Sequence, residues 1–216
     1  MKSDAQIQEA VYEELKWDPS VIGTDIGVEV STGIVTLFGH VGSHSEKVAA
    51  ERAAQRVIGV KGVAIAIAVK LPLSSHREDA DIARTASNVL SWSTYVPYDN
   101  LQVLVEHGWI TLTGEVRWDF ERRGAVSAVR DLMGVVGVIS HIRIREAVSL
   151  ASLKHEIEAT LKRRAHNEAK AISIDVSGAE VTLSGSVHNL AERDLVTNAV
   201  WGTPGVCNVI DRLSVT

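Results

Sequence analysis

Apolar residues fall four apart at Ile7, Val11 and Leu15, the spacing of one face of a helix. Period-two alternation follows at Ile26, Val28 and Val30, which predicts a strand with one buried face. A polar turn, Ser31-Thr32-Gly33, leads to a second alternating run, VTLFGHV, from Val35 to Val41. The turn glycine supplies the positive φ that a tight hairpin needs. The glycine inside the run, Gly39, is expected to release the chain from the sheet. A second helical face follows at Ala50, Ala53, Ala54 and Val57, and then Gly59-Val60 opens a third strand through Val63, Ile67 and Val69. The predicted order is α-β-β-α-β.

The same pattern recurs twice. ITLTGEV runs from Ile110 to Val116 and VTLSGSV from Val181 to Val187, so that Gly39, Gly114 and Gly185 mark one register with spacings of 75 and 71 residues. Ile82, Ala86 and Leu90 repeat the first helical face, and so do Leu153, Ile157 and Leu161. Leu101, Val103 and Val105, then Ile172, Ile174 and Val176, repeat the first strand. Gly134-Val135 and Gly205-Val206 open the third strand, with no insertion inside any unit. The second helix keeps its face at Ala125, Ala128, Val129 and Leu132, and at Val196, Ala199 and Val200. Thr203 and Pro204 then interrupt it, which predicts an early end in the third unit, because the residue before proline disfavours helical geometry. The third hairpin glycine, Gly178, sits one position earlier than its counterparts, so a different turn type is expected. Glu46, Glu121 and Glu192 fall near the start of the second helix, where a negative charge suits the dipole.

The fold class is therefore α+β, with three tandem αββαβ units at residues 1–70, 77–146 and 149–216. Units of about 65 to 70 residues are small but able to fold alone. Strands two and three, joined through a helix, should be parallel with a right-handed crossover. Strands one and two should form an antiparallel hairpin. Both helices cover one face of each three-stranded sheet, and the other face stays partly open for contacts. The linkers, Lys70 to His76 and Arg145 to Leu150, are short, so the units should pack closely or keep restricted orientations.

Composition narrows the class. Hydrophobic residues are 45% and charged residues 23%, as in ordinary globular chains. A net charge of -5 argues against a nucleic-acid partner. The apolar runs are too short to span a bilayer, and the N-terminus carries acids and amides where a signal peptide needs an apolar core. A cytoplasmic chain beginning near Met1 is expected; a periplasmic one requires a leader removed from this sequence. Cys207 is the single cysteine, excluding an intrachain disulfide, and its apolar strand context predicts a buried, inert thiol.

The strand ending VTLxGxV, the acidic-led helix and the strands GVKGVAIAIAV, GVVGVISHIRI and GVCNVIDRLSV resemble the BON domain, named for bacterial osmotically inducible protein Y and nodulation proteins. The resemblance covers nearly the whole chain as three copies and implies an αββαβ fold. It implies non-enzymatic modules that bind phospholipid membranes or proteins, often in the bacterial envelope and in osmotic stress. Relatives typically carry a secretion signal or lipoprotein cysteine, and this sequence shows neither.

Catalytic motifs are absent. The sequence has no HExxH, GxSxG, P-loop or strand-borne GxGxxG. His40 and His44 are four apart but straddle a strand-to-helix turn, so no metal site or cofactor is expected. Asp79 with Asp81, and Glu156 with Glu158, read as solvated helix faces. Repeated letters are apolar or glycine, and only the glutamate at the second helix repeats as a polar one. A non-catalytic protein follows, whose partner is an anionic phospholipid or another protein.

The candidate binding stretch is EVRWDFERRG, Glu115 to Gly124, where Trp118 and Phe120 stand among Arg117, Arg122 and Arg123. Aromatics beside arginines suit a lipid headgroup boundary, and the family's lipid contact is attributed to the helical side of a unit. The same aromatics also suit packing against a neighbouring unit. A second basic patch, Lys162, Arg163, Arg164 and Lys170, lies at a helix C-terminus, where the dipole alone favours cations. Trp17 and Trp92 occupy equivalent places at the end of the first helix, which predicts packing under the helix end. Trp201 is expected in the core or between units.

Overall fold

The computed structural model describes residues 2–22, 25–145, 172–203 and 206–215. Unit one comprises α1 (Asp4–Trp17), β1 (Ile26–Ser31), β2 (Ile34–Val41), α2 (His44–Arg56) and β3 (Gly62–Val69). Unit two repeats it with α3 (Asp79–Trp92), β4 (Leu101–Glu106), β5 (Trp109–Val116), α4 (Asp119–Arg130) and β6 (Gly137–Ile144). Unit three contributes β7 (Ile172–Ser177), β8 (Glu180–Val187), α5 (Leu190–Trp201) and β9 (Asn208–Val215). The helix expected around Leu153, Ile157 and Leu161 lies outside the described residues, as does the basic patch Lys162, Arg163, Arg164 and Lys170.

Each unit is a mixed three-stranded sheet. Its first two strands are antiparallel, and its second and third are parallel. The periodicities produce this directly. Ile7, Val11 and Leu15 bury one stripe of α1, while Ala50, Ala53 and Ala54 bury one stripe of α2. Both meet Val35, Leu37 and Val41 of β2 in one apolar core. Unit two repeats that core with Ile82, Ala86, Leu90, Ile110, Leu112 and Val129. The opposite face of the first two sheets stays open, leaving Ile34, Phe38, Leu104, Trp109 and Ile139 exposed.

Gly39 does not end its strand: β2 continues to Val41, still paired with β3 through Val69. What ends there is the pairing with β1, at Ile26 opposite Gly39. Gly39 has φ 113°, and a Cβ on it would lie 1.9 Å from the Asp25 carbonyl oxygen. Gly114 repeats this, with φ 131° and a Cβ position 2.1 Å from the Asn100 carbonyl oxygen. The glycine thus lets the incoming chain cross against the strand, a close backbone approach that no side chain permits.

The hairpins divide as the glycine positions suggest. Thr32 and Gly33 both have positive φ, as do His107 and Gly108, the pattern of a primed two-residue turn. In unit three the positive φ moves to the first turn residue, Gly178. Two first-helix carboxylates stabilise the primed turns. Asp4 accepts from the Thr32 and Gly33 N–H groups at 2.8 and 2.9 Å. Asp79 accepts from those of His107 and Gly108 at 2.7 and 2.9 Å. The bonds from Gly108 and then His107 hold the Asp79 carboxyl below its usual pKa. Asp79 is therefore a tertiary clasp on the hairpin rather than one of two solvated acids; Asp81 pairs only with Arg84 on the exposed face.

The third unit's helix does not stop early. It ends at Trp201, the register at which α4 ends with Arg130. Pro204 comes after the position where the second helix has already stopped in unit two, so its restriction on the preceding residue shortens nothing. Thr203 instead takes a buried core place and donates to the Ala199 carbonyl at 3.4 Å. Cys207 is only half-buried, with its sulfur 3.7 Å from the Arg145 carbonyl oxygen. It lies just before β9 begins, outside the alternation that buries strand residues.

Candidate functional site

The turn between β5 and α4 is set by Glu121. Its Oε2 accepts from the Arg117 and Trp118 N–H groups at 2.8 and 2.9 Å. Glu46 does the same work in unit one, accepting from Ile22 N–H and Gly42 N–H, each at 2.9 Å. Glu192 accepts from His188 N–H at 2.7 Å. The repeated glutamate therefore ties down the strand-to-helix turn, beyond any dipole effect. The cap differs between units. Ser43 Oγ accepts from Glu46 N–H, and Asn189 Oδ1 accepts from Glu192 N–H. In unit two this position is Trp118, which has no side-chain acceptor. Unit two thus gives up a capping bond of about 1 kcal/mol and carries an indole there.

The five residues singled out by sequence separate into two groups. Arg117 is exposed and its guanidinium stands 5.2 Å from the centroid of the half-buried Trp118 ring. Phe120 is 48% exposed. Arg117 and Phe120 thus face outward, and Trp118 leaves part of its ring accessible beside them. Arg122 and Arg123 turn instead toward Asp119, whose carboxylate is fully buried. Arg122 bonds to Asp119 Oδ1, and Arg123 Nε lies 2.7 Å from Oδ2 in an ion pair whose angles fall short of a hydrogen bond. Arg122 also stacks over Trp201 of unit three, 4.9 Å from its centroid. Trp201 is thus an interdomain residue.

Trp17 and Trp92 do not pack under their helix ends: they are 77% and 89% exposed. The helical spacing accounts for this. Each stands two residues after the last buried position, Leu15 or Leu90, and so about 200° around the helix from it. The Trp17 Nε1–H donates to Glu13 on the same helix at 3.0 Å. Tyr95, exposed just after α3, joins Trp92. Because β4 begins opposite Gly114, the end of α3 and the start of α4 lie at one end of unit two. That end presents Trp92, Tyr95, Arg117 and Phe120 to solvent, with the half-buried Trp118 beside them. Sequence reasoning missed Trp92 and Tyr95, although the broken apolar register at residue 92 carried the signal.

The second helices meet one another. Leu190 at the start of α5 packs against the unit-one core. Glu51 of α2 is half-buried, and burial, followed by the charge of Asp194 on α5, raises its carboxyl pKa. His44, the first residue of α2, has a buried Nδ1 without a hydrogen-bond partner. Desolvation lowers its pKa, and the charges of Lys47 and Arg130 act in the same direction. His40 pairs elsewhere, with Asp25 at 3.0 Å. Among the described residues no three His, Cys, Asp or Glu side chains converge on a metal-sized site, and no helix is long and apolar enough to cross a membrane.

No curated protein matches the chain. Two solved structures of CdsD, a structural protein of the type III secretion system of Chlamydia trachomatis, overlay it at 11% identity and a TM-score of 0.27. The first covers 96% of this chain and 91% of that one; the second, its C-terminal domain, covers 100% of both. A TM-score this low supports no argument about fold or role. The BON domain family matches residues 3–70, 78–146 and 149–216. These matches, and three sheets of one topology, establish that the chain belongs to the BON domain family and carries three tandem copies of the domain.

Proposed function

We propose that this chain is a non-catalytic binding protein that associates with anionic phospholipid membranes, in stress adaptation or transport-associated roles. The contact is made by the unit ends that carry Trp17, Trp92, Tyr95, Arg117, Trp118 and Phe120. One observation carries the reading: Trp17 and Trp92 occupy the same repeat position, and both leave most of the indole in water. Burial of such a ring in a core would stabilise the fold, so packing gives no reason for the shared exposure. An indole favours the headgroup region of a bilayer, where its apolar body and polar N–H are both accommodated. Arg117 adds a cation for lipid phosphate. Asp119 does not oppose this, because Arg122 and Arg123 neutralise it.

Flotation with phosphatidylglycerol-containing and phosphatidylcholine vesicles tests the proposal. The wild-type chain is expected to float with the anionic vesicles. Trp17→Ala with Trp92→Ala should weaken binding by about tenfold, with thermal melting unchanged, because the lost side chains are exposed. Absence of flotation with either vesicle refutes membrane association. A scaffold that binds a protein and no lipid is then favoured, because the open sheet faces expose Ile34, Phe38, Leu104, Trp109 and Ile139. A stoichiometric partner held through those faces would establish it.

A further inference from the structure

Units one and two share an open cleft of about 410 Å³, within the range of small-ligand sites, about 300–1,000 Å³. Four arginines line it: Arg122, Arg123 and Arg130 of α4, and Arg52 of α2. Ser127 and Ser140 add hydroxyls, and among the described residues no carboxylate lines the cleft. The repeat explains why there is room. Ser140 lies on the helix-bearing side of the edge strand β6, two residues before the buried Ile142. The same register holds Ile65 in unit one and Asp211 in unit three. In unit three Asp211 reaches across to Arg193 at 2.6 Å. In unit two a small hydroxyl replaces both, so the arginine in the matching place, Arg122, has no carboxylate opposite it on the strand.

The carboxylates around these arginines lie behind the lining. Asp119 is shared by Arg122 and Arg123, Asp131 pairs with Arg130 at 3.3 Å, and Glu51 and Asp194 feel the charge of Arg52. None of the four lines the cleft, so the surface that faces it carries guanidiniums and hydroxyls. We propose that this cleft binds a phosphoryl-bearing anion, which bridges Arg52 of unit one to the arginine face of α4. Planar guanidiniums bind phosphoryl oxygens in pairs, and the two serines supply further donors. Occupancy would fasten unit one to unit two, and through Arg122 it would be sensed at Trp201.

The experiment uses the full chain and inorganic pyrophosphate at fixed ionic strength, with chloride as the control anion. Calorimetry gives one readout, and the part of the tryptophan fluorescence change that Trp201→Phe removes gives the other. Saturable binding is expected, weakened about tenfold or more by Arg130→Gln or Arg52→Gln, since a charge-assisted bond is lost. Arg84→Gln, on the exposed face of α3 and outside the cleft, should leave it unchanged. A second arm replaces pyrophosphate with phosphatidate vesicles. If vesicles bind through Arg52 and Arg130 and pyrophosphate does not, the phosphoryl group is a lipid headgroup. If neither binds, or binding ignores both arginines while the variants melt like the wild type, the proposal is overturned. A failure of the tryptophan-dependent flotation leaves this result untouched, because none of those aromatics lines the cleft.

Discussion

Replacing Glu46 with alanine separates two accounts of the glutamate that starts every second helix. If it acts only on the helix dipole, each of Glu46→Ala, Glu121→Ala and Glu192→Ala costs about 0.3–1 kcal/mol. The structure gives Glu46 more to do. It is 7% exposed, and its two oxygens accept separately from Ile22 N–H and Gly42 N–H, each at 2.9 Å. Bonds to a charged acceptor contribute about 1.5–3 kcal/mol each in favourable settings. Both donors are near the surface, and water takes up part of the loss. A cost of about 2–4 kcal/mol is therefore expected for unit one, a fall of roughly 10 °C or more in its melting temperature. Glu121 uses one oxygen for two donors, one of them exposed, and should cost less. Calorimetry gives the stability, and hydrogen exchange of peptides spanning residues 18–28 and 38–50 gives the local readout. Exchange at Ile22 and Gly42 should accelerate in the variant well before global unfolding. Equal costs below about 1 kcal/mol at all three sites, with no local change in exchange, would refute the clasp.

Three other measurements follow. Gly114→Ala should prevent unit two from folding, because the added carbon falls 2.1 Å from the Asn100 carbonyl oxygen at φ 131°; circular dichroism of the purified chain checks it, and a normal melt would show that the crossing is not obligatory. Arg122→Gln and Trp201→Ala should show a coupling of about 0.5–1 kcal/mol in a double-mutant cycle, and additive effects would deny the stacking. His44 should make stability depend on pH: burial holds its folded pKa below the ordinary histidine value of about 6.5, so the unfolded chain binds the proton more readily. Stability is complete above 6.5 and declines as pH falls from there toward the folded pKa; denaturant melts of wild type and His44→Gln should diverge in slope over that window.

Most of the core was legible because its rule is local. Ile7, Val11 and Leu15 bury one stripe where a helix of period 3.6 meets a sheet, and Ile82, Ala86 and Leu90 bury the same stripe in unit two. The errors arose where a residue answers to a distant part of the chain. Asp79 reads as an ordinary acid on a solvated helix, but its partners are backbone groups nearly thirty residues on. Gly39 reads as a strand terminator, but the constraint on it is the Asp25 carbonyl. Equivalence between units does not imply burial for Trp17 and Trp92: the helical angle from Leu15 and Leu90 places them outside. The candidate stretch at Glu115 to Gly124 was recognised by composition. That Arg122 and Arg123 turn away from Trp118 and Phe120 depends on Asp119, whose burial no local pattern reveals.

The repeat also explains why the three copies do not pack interchangeably. The register of Gln55 in unit one is Arg130 in unit two and Trp201 in unit three. Gln55 bonds along its own helix to Glu51 at 3.2 Å, Arg130 lines the cleft, and Trp201 lies under Arg122. One turn earlier in the helix, Glu51, Val126 and Thr197 diverge in the same way. Past the first turn, the buried positions of these helices are alanine and valine in all three units. Three identical second helices would pair in any combination. A tryptophan on one and arginines on another favour the pairing of α4 with α5, and the carboxylates Glu51 and Asp194 make the pairing of α2 with α5 electrostatically distinct. Specificity of this kind comes from unlike residues at like positions. It follows that exchanging the second helices of units two and three should preserve each unit's core and disrupt the contacts between units.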